Sequence, residues 1–177
     1  VLMAPKDGLE LEAMLEFAIA LDKPVALRYP RSVIPPSGYP VKPLEIGKAE
    51  VLREGTDFVL FALGSIVSPS LEAMEMLEKE GLKGALVNAR FVKPLDINLF
   101  KALTSQAKFI FSAEEGIVEG GFGSAVTEAI DRPVIKIGLP AEFIPHGSRD
   151  ILLDKYGLTA KGIADKILKT VKRSRSI

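Results

Sequence analysis

One segment limits the possible folds more than any other: the uninterrupted apolar run from Phe58 to Leu63, which ends at Gly64. A strand with one solvated face alternates apolar and polar residues, so a continuous run predicts a strand covered on both faces. Further strand patterns alternate with helical patterns along the chain. This alternation predicts an α/β fold, a three-layer sandwich with a mostly parallel central sheet and right-handed crossovers.

The first part of the chain has the pattern of a β-α-β unit. An apolar strand at residues 1–4 precedes a helix that Asp7 should cap, with Glu10 in capping-box spacing. A second strand follows at residues 25–29. The apolar positions of the helix fall on one face, which we expect to pack inward: Leu11, Met14, Leu15, Ala18 and Ile19.

A proline-rich stretch separates this unit from the rest. Five prolines in the fourteen residues 30–43 exclude a regular element and predict a stiff connector. We place the domain boundary here. The predicted division is one partial domain at 1–34, a linker at 35–43, a second domain at 44–172 and a basic tail at 173–177.

Several residues mark helix boundaries in the second domain. Ser68-Pro69 should begin a helix, with Ser68 as the cap, and Gly81 should end it. Asp96, Ser148 and Thr159 are predicted caps of three later helices.

The composition excludes several classes of site. There is no Cys and a single His, His146, so disulfide scaffolds, thiolate metal sites and multi-histidine metal sites are excluded. The 23 Lys and Arg balance 23 Asp and Glu, which argues against a dedicated nucleic-acid binder. No window approaches 18 apolar residues, so no membrane-spanning helix is expected, and we expect a cytoplasmic protein.

Two further features bear on the origin of the chain. It opens at Val1 within an apolar run rather than at an initiator Met, so we expect it to be part of something longer. Asn and Gln together number three, a scarcity compatible with a thermophilic source.

The glycines at 120–123 precede a predicted helix that runs through Ile130. A dinucleotide fingerprint would need a third glycine where Val126 stands, and an acidic residue about 20 positions on, which is absent. Close packing of the helix start is favoured, although an anion at this N-terminus stays open.

Three carboxylates, Glu114, Glu115 and Glu119, follow a strand at the edge where α/β sheets bind ligands. As a functional set they could perform acid-base chemistry or hold a hard cation. We favour the alternative of a solvated loop, with Glu119 placed favourably at a helix start. His146 lies in a loop and is expected to be structural or exposed, and the absence of Gly-x-Ser-x-Gly argues against a hydrolase.

Arg28 and Arg31 flank Tyr29-Pro30 at the end of a strand. Two guanidiniums in a proline-stiffened turn suit a phosphate or a carboxylate, because Arg offers planar bidentate donors. An interface ion pair is the alternative, and composition does not decide between them.

The order and spacing of several strings resemble the C-terminal portion of the 1-deoxy-D-xylulose-5-phosphate synthases, a family within the thiamine-diphosphate-dependent transketolase superfamily. The resemblance covers roughly residues 1–170. The strings are Met3-Ala4-Pro5, Arg28-Tyr29-Pro30-Arg31, Ile46-Gly47-Lys48, Asn88 to Asp96, Glu114-Glu115-Gly116, Gly120 to Ser124, Ile137 to Pro140 and Phe143 to Ser148.

The resemblance implies a three-domain enzyme that condenses pyruvate with glyceraldehyde 3-phosphate to 1-deoxy-D-xylulose 5-phosphate and releases carbon dioxide, for isoprenoid and thiamine precursors. Thiamine diphosphate would be the electron sink, with Mg²⁺ on its diphosphate. It also implies a homodimer, with residues 1–34 ending the pyrimidine-binding domain.

The resemblance places few functional residues in this chain. The Gly-Asp-Gly…Asn diphosphate motif does not occur here, and the activating Glu and the catalytic histidines lie upstream; His146 does not match them. We therefore expect no catalytic, cofactor or metal residue in this part, no bound cofactor and no turnover by the chain alone. Arg31 matches the residue that holds the acceptor phosphate, whereas Arg28 and Tyr29 match less well and suit a scaffold. Ser32 stands where the family often has Gly.

Three alternatives stay open at this point. The unit could serve assembly through dimerisation, without catalysis of its own. The chain could instead belong to the β subunit of a 2-oxo acid dehydrogenase, or to another relative of transketolase.

Overall fold

The computed structural model describes residues 1–33 and 40–175. Predictions for residues 34–39 and 176–177 lie outside the described residues. The elements, in chain order, are β1 Leu2–Met3, α1 Gly8–Ala20, β2 Ala26–Leu27, β3 Glu50–Arg53, β4 Val59–Ala62, a 3₁₀ helix Gly64–Ile66, α2 Val67–Lys79, β5 Ala85–Asn88, β6 Phe91–Lys93, α3 Ile97–Thr104, β7 Ile110–Ile117, α4 Phe122–Ile130, β8 Ile135–Leu139, α5 Arg149–Lys155 and α6 Ala160–Arg175.

The larger sheet has five strands in the order β3-β5-β4-β7-β8. Strands β5, β4, β7 and β8 pair in parallel, and β3 pairs antiparallel at one edge. All four residues of β4 are buried, as its continuous apolar run predicts. The mostly parallel α/β fold is confirmed.

Residues of β4 alternate between two apolar cores, one on each face of the sheet. Leu60 packs with α2 and α6, where Ile163, Ile167 and Val171 are buried. Phe61 faces α3 and α4 and stacks on Phe100 with ring centroids 4.1 Å apart. Helices on both faces explain why this strand carries no polar alternation.

A second, small sheet has the order β2-β1-β6. Strand β1 pairs in parallel with β2, which confirms the predicted β-α-β unit, and antiparallel with β6, a strand that the sequence analysis missed. The domain division at 30–43 stays a prediction, but the two parts pack closely because β6 belongs to the second.

The prediction that one apolar face of α1 packs inward is wrong for two of its five residues. Met14 is buried against Met3 and Phe91, whereas Leu15 is 45% exposed and Ile19 is 86% exposed. Glu10 sets the rotation of the helix about its axis, because its side chain is completely buried among charged and amide partners.

Several predicted helix boundaries are confirmed and others are corrected. Asp7 and Asp96 accept hydrogen bonds from the N–H groups of Glu10 and Leu99, as predicted for caps. Ser68 does not begin its helix: Gly64, at φ +63°, turns the chain directly after β4, and α2 is already formed at Val67.

The remaining boundaries concern the end of the chain. Thr159 accepts from the N–H of Gly162, but Ser148 caps α5 without a side-chain hydrogen bond. Helix α6 continues to Arg175, into the predicted tail. Across the described residues no helix has the length and apolarity needed to cross a membrane.

Candidate functional site

The turn at residues 29–33 lines a groove of about 500 Å³, here called the Arg31 groove. The first residues of α1 and α6, Gly8 and Ala160, also line it, and helix N-termini favour anions. Its other walls come from residues 5–7, Leu11, Ser65, Ser68, Pro69, Arg149, Leu153, Leu158 and Thr159.

Arg31 and Arg149 both line the Arg31 groove. Arg31 is exposed, and within the described parts of the chain its side chain has no hydrogen bond or ion pair. Tyr29 is 57% exposed and lines the same groove. An unpaired guanidinium beside a partly apolar groove can bind a phosphate or carboxylate through two parallel hydrogen bonds.

Arg28 has a different environment from Arg31. Its guanidinium donates to the main-chain oxygen of Glu115, 87 residues away on β7. The structure therefore places Arg28 as a link between the turn and the larger sheet.

Glu115 is held firmly by its neighbours. Arg149 Nε and Nη2 donate to its two carboxylate oxygens at 2.8 and 2.5 Å, and Ser65 Oγ donates at 2.7 Å. Burial alone would raise the pKa of Glu115, but the bonds from Arg149 and Ser65 outweigh it and lower that pKa. Hydrogen bonding to Glu115 raises the pKa of Arg149 in turn. Both groups are therefore ionised at neutral pH.

Glu114 has a different role from its neighbour. It is 5% exposed, and its carboxylate accepts from the N–H groups of Phe122 and Gly123, both at 2.9 Å. A Cβ on Gly121 would lie 2.6 Å from the same carboxylate, so glycine permits this approach. The chain thus supplies its own anion to the N-terminus of α4, which leaves these two N–H groups unavailable to a ligand.

The favoured prediction of a solvated acidic loop is therefore wrong for Glu114 and Glu115, which lie within β7 and are bound to protein groups. Only Glu119 is exposed, and it precedes the start of α4. Neighbouring strand residues point to opposite faces, so the three carboxylates do not form one site. Among the described residues no cluster of three or more His, Asp or Glu could hold a metal ion. His146 is exposed in the loop before α5.

Sequence analysis missed a buried ionic cluster. The carboxylate of Glu10 accepts from Arg90 Nε at 2.8 Å and from the Asn88 amide at 2.9 Å. Arg90 also contacts Glu50 at 3.1 Å, and Lys6 lies 3.2 Å from Glu10 and 3.4 Å from Glu50. The left-handed backbone of Arg90, at φ +57°, aims it into this cluster. The only available signal was Glu10 at the capping-box position, but that pattern predicts a bond to the helix start and not a buried partner 80 residues away.

Comparison with known proteins gives one family. The model of the transketolase C-terminal domain matches residues 47–163. The 1-deoxy-D-xylulose-5-phosphate synthase of Caldanaerobacter subterraneus subsp. tengcongensis is 41% identical, over 98% of this chain and 29% of that protein. The synthase of Gloeobacter violaceus is 44% identical, over 99% of this chain and 28% of that protein. The chain thus spans less than a third of the length of these curated relatives.

Solved structures agree with the fold. A split-gene transketolase, described as an inactive β4 tetramer, is 33% identical with a TM-score of 0.89, over 97% of this chain and 57% of that chain. The transketolase of Campylobacter jejuni is 21% identical with a TM-score of 0.72, over 95% of this chain and 26% of that chain, which shows a shared fold alone.

Proposed function

This chain belongs to the transketolase C-terminal domain family, and we propose that it acts as the C-terminal part of a 1-deoxy-D-xylulose-5-phosphate synthase. The whole enzyme would condense pyruvate with glyceraldehyde 3-phosphate and release carbon dioxide. The support is a match at 41–44% identity over nearly the whole chain to synthases of that name, against 33% to the split-gene transketolase and 21% to the transketolase of Campylobacter jejuni.

In this proposal residues 1–34 complete the pyrimidine-binding domain, and residues 44–172 are the C-terminal domain. Thiamine diphosphate would supply the electron sink when bound elsewhere in the enzyme. The residues described here do not fit a Mg²⁺-diphosphate site: none of their acidic groups forms a metal-binding cluster, and Glu114 and Glu115 are committed to protein partners. The contribution of this part is therefore substrate positioning and packing.

The residue proposed to contact substrate is Arg31. The observation that carries this role is that Arg31 lines the Arg31 groove, is exposed, and has no side-chain hydrogen bond or ion pair within the described residues. A phosphate monoester would accept two hydrogen bonds from it, and charge-assisted bonds contribute about 1.5–3 kcal/mol each.

The test is Arg31→Gln in the active holoenzyme that contains this chain. We expect the KM for glyceraldehyde 3-phosphate to rise about 10- to 100-fold, with the KM for pyruvate unchanged, because Gln cannot supply the charge or the fork. Arg53→Gln is the matched control, since Arg53 pairs with Glu75 and Glu78 away from the groove. An unchanged KM for glyceraldehyde 3-phosphate would refute the role of Arg31.

We also propose that the chain alone binds neither thiamine diphosphate nor Mg²⁺ tightly, and is inactive. The unsuitable donor set supports this, and the split-gene relative is itself described as inactive. Calorimetric titration of the 177-residue chain with both ligands tests it. Micromolar binding would contradict the proposal.

Assembly is a second candidate role, favoured by the exposed apolar side chains of α1. Leu15 and Ile19 would lose contact with water in a complex, and the split-gene relative is described as a tetramer. We propose a homodimer. Sedimentation at several concentrations tests this, and a monomer throughout would count against it.

A further inference from the structure

We infer that Glu115 is a positioning residue for Arg31: it fixes the turn at residues 28–31 against the larger sheet, so that the Arg31 guanidinium keeps its place in the Arg31 groove. This inference rests on the proposed function, since it assumes that Arg31 holds the substrate phosphate. Glu115 itself touches no substrate in this scheme.

The first step concerns the main-chain oxygen of Glu115, at the end of β7. Strand β4 ends at Ala62, opposite Ala113, and the chain then turns away at Gly64. The end of β7 consequently has no β4 neighbour, and its pairing with β8 is irregular between Ala113 and Ile117. In this irregular stretch Arg28 donates a hydrogen bond to the main-chain oxygen of Glu115.

The second step is the rigid support of Glu115. Its side chain is 19% exposed and accepts from Arg149, at the start of α5, and from Ser65, in the 3₁₀ helix. The bidentate geometry of Arg149 fixes both the direction and the distance of the carboxylate. The end of β7 is therefore braced on one side by α5 and on the other by the turn before α2.

The third step is the small number of bonds that hold the turn. The main-chain N–H of Arg28 donates to the oxygen of Met3 at 2.9 Å, which ties the start of the turn to the small sheet. Within residues 28–33, the bond from Arg28 to Glu115 is the only side-chain hydrogen bond that reaches another described part of the chain. The Ser32 hydroxyl contacts only the main-chain oxygen of Val33, at 3.4 Å. Arg31 follows Arg28 by three residues, with Pro30 limiting the intervening backbone, so a shift of β7 is transmitted to Arg31.

A small displacement of Arg31 should have a large kinetic effect, because the two parallel hydrogen bonds from a guanidinium to a phosphate are directional. Loss of the Glu115 carboxylate should therefore weaken phosphate binding selectively. In the active holoenzyme that contains this chain, we expect Glu115→Ala to raise the KM for glyceraldehyde 3-phosphate about 3- to 10-fold. The kcat and the KM for pyruvate should change less than about twofold.

Three further variants separate positioning from general stability. Glu115→Gln keeps an acceptor for Ser65 and should give a smaller rise in the KM for glyceraldehyde 3-phosphate, whereas Arg149→Gln should reproduce the rise from the other side of the ion pair. Glu119→Gln, an exposed carboxylate four residues away, is the matched control and should have no effect.

The decisive measurement is the double variant of Glu115→Ala with Arg31→Gln. If Glu115 acts through Arg31, the double variant has no higher KM for glyceraldehyde 3-phosphate than Arg31→Gln alone. Additive effects, or a Glu115→Ala variant that changes only the melting temperature, would overturn the positioning role and leave the proposed function standing. An Arg31→Gln variant with normal kinetics would overturn both.

Discussion

Removal of the Glu114 carboxylate should destabilise the fold through one helix start. This side chain is 5% exposed and accepts two main-chain hydrogen bonds, from Phe122 and Gly123, both at 2.9 Å. Bonds to a charged group contribute about 1.5–3 kcal/mol each, and the positive end of α4 adds to them. The cost of burying the carboxylate, and water entering the space it leaves, offset part of the sum, so we expect Glu114→Ala to cost about 2–4 kcal/mol.

Thermal unfolding followed by circular dichroism measures this effect. For a chain of this length each kcal/mol corresponds to about 2–4 °C, so the melting temperature should fall by about 4–16 °C. Glu114→Gln keeps one acceptor oxygen and should lose about half as much. Glu119→Ala removes an exposed carboxylate from the same region and should change the melting temperature little.

A vacated anion site also predicts chemical rescue. Acetate at tens of millimolar should raise the melting temperature of Glu114→Ala more than that of the wild type, because it can occupy the freed N–H groups. A Glu114→Ala protein that melts within about 1 °C of the wild type would refute the assignment of Glu114 as the internal anion of α4.

Three other variants test separate contacts. Arg90→Met removes the closest cationic side chain from the fully buried Glu10 and should cost about 3–5 kcal/mol in urea unfolding, so a loss below 1 kcal/mol would contradict the cluster. Because folding lowers the pKa of Glu115, the ionised carboxylate stabilises the fold fully above its ordinary pKa of about 4.5, and this stabilisation is lost as the pH falls through the pKa of the folded state. The difference in unfolding free energy between the wild type and Glu115→Gln should therefore be largest at neutral pH and vanish in acid. Gly121→Ala places a Cβ 2.1 Å from a main-chain oxygen and should cost about 1–3 kcal/mol, whereas Gly147→Ala, with 3.6 Å of clearance, should be neutral by thermal melting.

The parts of the fold that depend on local chemistry could be predicted from the sequence. The apolar run of β4 predicts a strand covered on both faces, and Asp7 and Asp96 predict helix starts, because each signal lies within a few residues of its effect. The prediction that α2 begins at Ser68-Pro69 was wrong for a local reason as well, because the positive φ of Gly64 lets the helical backbone begin before Ser68.

The candidate site was only half predictable, for a different reason. The Arg28–Arg31 turn was recognised, and it lies at the Arg31 groove. Its supports come from far along the chain, since Glu115 meets Arg28 across 87 residues and Arg149 across 34. A run of two glutamates gives no indication that one carboxylate faces a helix start and the other an arginine, because that division depends on the strand in which both lie.

Stability and site geometry depend on the same junction between the β-α-β unit and the larger sheet. Glu10 and Lys6 come from the unit, and Glu50 and Arg90 come from the rest, so each part contributes one positive and one negative charge, and the Arg90–Glu10 and Lys6–Glu50 ion pairs join the two parts. Separation would break both of these ion pairs, including the closest one at 2.8 Å, which makes sliding of one part on the other costly. The Arg28–Glu115 bond lies at the same junction, so a well-placed Arg31 requires the docked arrangement that the cluster enforces. A variant that loosens the cluster should therefore raise the KM for glyceraldehyde 3-phosphate before it unfolds the protein.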